Sequence, residues 1–250
     1  MQIHGETLKS IYNENYFKGE EYLDYLRDKN VLQKNFGKRI RKMKQLFSDD
    51  EIKDVLEIGC AYGFFAECFV NAYPEKKYLG YDIVREAIQY GKTQLGMNLH
   101  ETDYLSVKSV KSYSDIFMWD VIEHLPNPEQ FIKKISAELE IGGRIYITTG
   151  DISSLIARVQ KAKWRMIHPP SHLHYFSKDT LSRLLEKNSL KIKYIGYPPV
   201  YRSFSLVFYS IFMLRKKTGK ITRFFYNLIP KSWFFAINTR DIMFIIAEKK

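Results

Sequence analysis

An open α/β sheet is the fold class predicted for this chain of 250 residues, and three observations predict it. A short apolar run, Val55-Leu56-Glu57-Ile58, breaks at the small residues Gly59-Cys60-Ala61-Tyr62-Gly63 and passes straight into a helical pattern over Phe64–Ala72. Two more short segments follow at intervals of about twenty residues, one ending in Asp82 and one, Asn98-Leu99-His100, leading to Asp103. The length and the 45% of hydrophobic residues suit a single sheet of this kind with additions. Strands that alternate with helices pair in parallel, which gathers their carboxyl ends at one edge.

The turn after the first strand carries the chemistry. Glycine there tolerates positive φ and lets a ligand touch the backbone, while the helix start offers unpaired N–H groups to an anion. A dinucleotide loop has the spacing G-x-G-x-x-G, which makes room for a pyrophosphate. Here the pattern is acid-x-Gly-x-Ala-x-Gly, from Glu57, Gly59, Ala61 and Gly63. The third small residue comes one position early, and the acid would repel a pyrophosphate but hold a cationic amino group. That favours the zwitterionic methionine end of S-adenosylmethionine. Asp82 then offers two acceptor oxygens to a ribose and Asp103 one to an adenine amino group. A single acid at a strand end is also a common helix cap or turn residue; three at successive strand ends are harder to dismiss.

With these residues placed, the stretch 51–150 resembles the class I S-adenosylmethionine-dependent methyltransferases. The likeness continues through Ser114-Asp115-Ile116-Phe117-Met118-Trp119-Asp120-Val121-Ile122-Glu123-His124-Leu125, read as a fourth strand and its loop. A helix over 128–140, the turn Ile141-Gly142-Gly143 and a fifth strand over 144–149 complete it. Within the family the chain is most similar to the small-molecule group that contains the ubiquinone and menaquinone methyltransferases, with Ala61 a departure from the usual glycine. The resemblance implies a doubly wound sheet of seven strands in the order 3-2-1-4-5-7-6, the last antiparallel, with S-adenosyl-L-methionine as cofactor. It also implies that Glu57 and the loop of Gly59, Cys60, Ala61, Gly63 and Phe64 hold the methionine end. Asp82 and Ile83 would serve the ribose, Asp103 and Tyr104 the adenine, and Trp119 and Asp120 the floor near the sulfonium. Tyr12-Asn13-Glu14-Asn15-Tyr16-Phe17 resembles an aromatic string that closes over the cofactor in this group. Tyr12 and Tyr16 suit a cation through their ring faces, and they equally suit packing along one face of a short helix.

The chain reads as one methyltransferase domain: an N-terminal helical cap over 1–50, the cofactor core over 51–150 and an acceptor side over 151–250. A helix is expected over 152–163, another over Lys178–Lys187 behind an N-cap at Ser177, a strand over 191–196 and a last strand over 241–248. No apolar run reaches the length of a membrane span and the polar start lacks a signal-peptide pattern, so a cytoplasmic location is expected. Cys60 and Cys68 provide neither a disulfide framework nor a metal set. The net charge of +11 is concentrated in the last fifth of the chain.

Methyl transfer needs an aligned acceptor and, for a hydroxyl, removal of a proton. His168, His172 and His174 fall after the fifth strand, and a Pro-x-x-His-Leu-x-Tyr-Phe-Ser string at this place is common in the resembling group. His172 is the first candidate for general base or acceptor ligand and His174 the second; loop fixation by backbone hydrogen bonds is the plain alternative. The spacing His-x3-His-x-His has no fixed carboxylate near it, so no metal site is expected. The signature Asn/Asp-Pro-Pro-aromatic is missing after the fourth strand, which disfavours methylation of base amines. Segment 201–238 joins apolar and aromatic residues to a basic cluster, which suits a helical insertion lying on an anionic membrane or a helix pair packed as a lid or subunit contact. The leading expectation is O-methylation of a small or lipid-linked acceptor, such as a bacterial surface sugar or glycolipid. An RNA methyltransferase and a cofactor-binding protein without catalysis are the alternatives.

Overall fold

The computed structural model describes residues 25–108, 111–213, 219–230 and 233–250, without the side chains of residues 206, 210 and 211. Tyr12 and Tyr16 lie outside the described residues. The strands are β1 (Asp54–Ile58), β2 (Lys77–Asp82), β3 (Leu99–Glu101), β4 (Tyr113–Trp119), β5 (Leu139–Gly150), β6 (Leu190–Gly196), β7 (Val200–Ser203), β8 (Phe234–Ile237) and β9 (Ile242–Lys249). The helices are α1 (Lys29–Leu46), α2 (Phe64–Ala72), α3 (Arg85–Leu95), α4 (Pro128–Glu138), α5 (Leu155–Gln160), α6 (Lys178–Lys187), α7 (Phe204–Phe212) and α8 (Lys220–Leu228).

The main sheet runs β3-β2-β1-β4-β5-β9-β6, which is the expected order once β9 is counted as its seventh strand. Strands β1 to β5 pair in parallel and β9 runs antiparallel to both neighbours. Central strands covered on both faces read as unbroken apolar runs, and their side chains part with period two. Val55, Phe117, Trp119, Tyr146, Phe244 and Ile246 turn to one face, against Phe36, Ile40 and Met43 of α1 and Phe65 and Phe69 of α2. Leu56, Ile116, Met118, Ile145, Ile147 and Ile245 turn to the other, against Ile132 and Ile135 of α4 and Leu181 and Leu185 of α6. Full burial of each such side chain contributes about 1.5–3 kcal/mol, so this double-sided core dominates the stability of the fold.

Local chemistry explains where elements begin and end. Ser177 caps α6 by accepting from the Thr180 N–H, as its position ahead of the helix predicts. Helix α5 is shorter than the expected 152–163: Ser154 is its N-cap, and Asp151 accepts from the N–H and hydroxyl of Ser153. Strand β5 starts five residues early, at Leu139, because the Gly142-Gly143 turn is absorbed as an irregularity in its pairing with β4. A Cβ on Gly143 would come within 3.0 Å of the Tyr113 carbonyl, so the close approach requires glycine.

Segment 201–238 holds the expected helix pair, α7 and α8, and also a two-stranded ribbon of β7 and β8 that the sequence did not predict. The ribbon docks on α1 through Asn35, whose side chain donates to the Tyr201 carbonyl and accepts from the Tyr201 N–H. One amide thereby mimics a neighbouring strand, a pairing that no pattern within β7 announces. Among the described residues no helix is long and apolar enough to cross a membrane.

Candidate active site

The carboxyl ends of β1, β2 and β4 build a cradle around the Gly59–Gly63 turn. Gly59 has φ +75°, Ala61 +45° and Gly63 +77°. A Cβ on Gly59 would meet Val121 Cγ2 at 2.4 Å, so glycine is required both by the backbone and by the turn after β4. Ala61 adopts the left-handed region without glycine's freedom, held by its N–H, which donates to Asp82 Oδ2 at 2.8 Å. The other Asp82 oxygen accepts from the Val84 N–H at 2.9 Å. Gly59 and Cys60 both donate their N–H groups to the Tyr81 carbonyl. Gly63 is the N-cap residue of α2, and Phe64 behind it is buried among Tyr25, Tyr62 and Tyr90.

Glu57 is 2% exposed, and it accepts a hydrogen bond from the Tyr78 hydroxyl across the β1–β2 pair. Burial pushes its carboxyl up to about 8; the Tyr78 bond and the more distant Arg39 charge oppose the rise, while the Asp82 charge adds to it. A carboxyl held part-protonated in a dry cradle gains from an arriving cation. The Asp82 carboxyl is also raised, by burial against the pull of its backbone donors. Cys60 is buried and its thiol is raised well above the usual range, first by desolvation and then by Asp82 and Glu57, so it is an inert packing thiol. Cys68 is half-buried, with its sulfur near the Gln33 carbonyl.

The remaining predicted residues part company. Ile83 is exposed beside Asp82. Asp103 is exposed and accepts from the Leu105 N–H. Tyr104 turns into the core and donates its hydroxyl to Glu138 of α4 at 2.9 Å. Trp119 packs edge-on against Phe65 and Phe244. Its buried Nε1 has no hydrogen-bond partner among the described residues. Asp120 has φ +56° and donates its N–H to the carbonyl and hydroxyl oxygens of Thr148. Arg39 of α1 spans the two, with its guanidinium 4.7 Å from the Trp119 ring and 3.4 Å from Asp120 Oδ2. The sequence reading gave Arg39 no role, because α1 reaches this edge only through the tertiary packing.

Residues 168–174 fold against the turn after β4. The N–H groups of Leu173 and His174 both donate to the Glu123 carbonyl, at 2.8 and 3.0 Å. His172 is 8% exposed. Its Nδ1 donates to the Met166 carbonyl at 2.8 Å, and its ring stands edge-on to His124 at 4.6 Å. His124 Nδ1 donates to the Ser171 carbonyl at 2.9 Å. Burial, then the neighbouring His172, lowers the His124 imidazole to about 4, so it is neutral at physiological pH. His168 is held by the Ser171 hydroxyl, and His174 lies against Phe176 outside the cluster. Glu123 and His124 thus join His172 although they stand far from it in the chain. Their only sequence signal is the adjacent acid and imidazole in the turn that follows β4.

Comparison with known proteins places this geometry. A methyltransferase-domain family profile matches residues 31–194. A malonyl-[acyl-carrier protein] O-methyltransferase of Ilyobacter polytropus is 25% identical over 147 residues, 56% of this chain and 54% of that protein. The chain thus spans about half the length of that relative. A ubiquinone biosynthesis O-methyltransferase of Pelagibacter ubique is 24% identical over 169 residues, 62% of this chain and 69% of its own. The crystal structure of magnesium protoporphyrin IX methyltransferase from Synechocystis PCC 6803 with bound S-adenosylhomocysteine superposes with a TM-score of 0.62 at 12% identity, over 99% of this chain and all of the other.

Proposed function

Because the chain belongs to the methyltransferase-domain family and is an S-adenosylmethionine-dependent methyltransferase, we propose that it methylates a hydroxyl on a small or lipid-linked acceptor, with a bacterial surface sugar or glycolipid as the substrate class. The observation that carries this reading is His172: a buried imidazole, oriented through Nδ1 by a backbone carbonyl, standing beside the turn whose Val121 abuts the cofactor loop. Both relatives above are named as O-methyltransferases.

The cradle suits the cofactor. Glu57, with its raised carboxyl, would take the cationic amino group and Asp82 the ribose hydroxyls, while Gly59 lets Val121 of the turn after β4 pack against the loop. The bound cofactor supplies an electrophilic methyl group on a sulfonium. The protein's own task is to align the acceptor oxygen and receive its proton. His172 engages that hydroxyl through Nε2, because Nδ1 already carries the proton it donates to Met166. Trp119 and Asp120 would line the floor near the sulfonium, and Tyr12 and Tyr16 would close over the cofactor.

Segment 201–238 supports a lipid-linked acceptor. Tyr226 anchors α8 inward, its hydroxyl accepting from Arg27 Nη1 at 2.6 Å, which leaves Ile221, Phe224, Phe225 and Leu228 exposed on the helix with Lys220 and Arg223 among them. A cavity of about 480 Å³ lies between this helix, α7 and Trp233. Apolar side chains interleaved with cations fit an anionic lipid surface better than an RNA backbone, which asks for an uninterrupted basic face.

His172→Ala tests the acceptor reading. Turnover, measured as S-adenosylhomocysteine release with hydroxylated acceptors or lipid extracts, should fall by about 10²–10⁴-fold, the usual worth of a positioned proton acceptor, with S-adenosylhomocysteine affinity unchanged. Wild-type turnover in that variant would end the reading.

A further inference from the structure

The histidines after β5 have no carboxylate near them in sequence, but the fold brings one to His172. One ligating atom from each of Glu123, His124 and His172 lies within 4.8 Å of the other two. Glu123 and His172 are buried and His124 is half-buried. Both imidazoles donate their Nδ1 proton to a backbone carbonyl, Ser171 for His124 and Met166 for His172, so in the neutral ring the lone pair is on Nε2. Outer hydrogen bonds of this kind fix the tautomer and ring direction of metal-binding imidazoles. The backbone around them is already locked, since Leu173 and His174 donate to the Glu123 carbonyl. In a tetrahedral site with bonds near ~2.1 Å the ligand atoms stand ~3.4 Å apart, so side-chain movements of at most ~1.4 Å would close these three around one ion.

We propose that Glu123, His124 and His172 bind a first-row divalent cation of the zinc type, whose open coordination position receives the acceptor hydroxyl. Two imidazole nitrogens and one carboxylate oxygen suit zinc, manganese or iron and disfavour magnesium, which asks for an all-oxygen shell. Three protein ligands leave room for a further oxygen, as in catalytic zinc centres. On the ion the acceptor O–H ionises near neutral pH and its proton passes to solvent. The oxygen then forms the new C–O bond as the C–S bond breaks and the thioether departs with the electron pair. His172 in this arrangement engages the hydroxyl through the ion. Cation binding stands on the geometry alone; the role given to the hydroxyl rests on the O-methylation reading.

The test uses the full chain stripped with a chelator and titrated with zinc chloride by calorimetry, alongside cobalt chloride followed by visible absorption. Expected are one cation per chain, ligand-field absorption from cobalt and no comparable heat from magnesium chloride. Glu123→Gln, which keeps the volume of the side chain, and His172→Ala should each weaken zinc by more than the roughly 10–100-fold typical of outer-shell changes, with S-adenosylhomocysteine affinity and circular dichroism as in wild type. Stripped wild-type protein that gives neither zinc heat nor cobalt absorption overturns the proposal, and so does zinc affinity preserved in both variants. The two readings fail separately. Lost turnover in His172→Ala without any cation binding by the wild type removes the metal and keeps the base, whereas tight zinc in the wild type together with wild-type turnover in that variant keeps the cation site and removes the acceptor role.

Discussion

The two ends of the sheet both bury carboxylates and treat them differently. At the amino end of β4, Asp115 is fully buried and accepts from Arg144 Nε at 2.9 Å, the Tyr146 hydroxyl at 2.7 Å and the Ser114 hydroxyl at 2.7 Å. Arg144 also reaches Glu51 at 2.9 Å. At the carboxyl end of neighbouring β1, Glu57 is nearly as buried but has the Tyr78 hydroxyl as its donor, and among the described residues no lysine or arginine pairs with it. A charge balanced from within is part of the scaffold. One buried without its counter-ion suits a ligand that brings the cation.

The largest effect should come from unbalancing the scaffold end. Arg144→Met leaves Asp115 buried without a cation and should cost about 3–5 kcal/mol in urea denaturation, with S-adenosylhomocysteine affinity preserved in the folded fraction. Loss of that affinity in folded protein would show that the two ends are not separable.

The ligand end can be read by pH. Glu57 holds its proton to about 8 in the native state and to 4.5 in the unfolded chain. Between those values the native state binds more protons, so this group's contribution to stability is present at low pH and lost as pH rises through 8. The loss is at most about 1.4 kcal/mol per pH unit, a few kcal/mol across the window. Glu57→Gln should flatten that part of the profile for the cofactor-free protein. A cationic amino group prefers the ionised carboxyl, so S-adenosylmethionine affinity should rise over the same window, with proton release seen as buffer-dependent heat of binding. Equal slopes in wild type and variant would break the comparison.

Smaller effects probe the cradle wall. Gly59→Ala combines left-handed backbone strain of about 1–3 kcal/mol with the 2.4 Å approach to Val121 Cγ2. Adding Val121→Ala should restore part of the stability and cofactor affinity, because it removes the clash and leaves the strain. Full additivity in the double variant would mean that the two residues do not touch. The least change in stability is expected on α8, away from both ends. Ile221→Ser with Phe225→Ser should stay within about 0.5 kcal/mol in thermal unfolding and yet abolish flotation with anionic vesicles. Undiminished flotation would remove α8 as the membrane contact.

The readings that succeeded share a physical feature. The Gly59–Gly63 turn, the helix it opens and the Ser177 cap depend on residues within a few positions of one another, so backbone chemistry writes them into the local pattern. The aromatic core strands were legible for the same reason, since a strand buried on both faces must be apolar throughout. Tyr104 was expected at the adenine from its place beside Asp103, but whether a ring at a strand end faces outward or donates to Glu138 depends on how α4 packs. The β7–β8 ribbon escaped because Asn35, in another element, provides the hydrogen bonds that hold it.

What the chain determines locally is the order of its strands and helices, the Gly59–Gly63 turn and the cap that starts α6. What the tertiary structure alone decided is which side chains share a site: Tyr78 against Glu57, Arg39 between Trp119 and Asp120, and Glu123 and His124 beside His172. The reason lies in range. Turn and cap preferences act over a few residues, whereas the meeting of Glu123 with His172 follows from a parallel sheet that returns each strand to the same edge, and only the closed, double-sided core holds that edge in place.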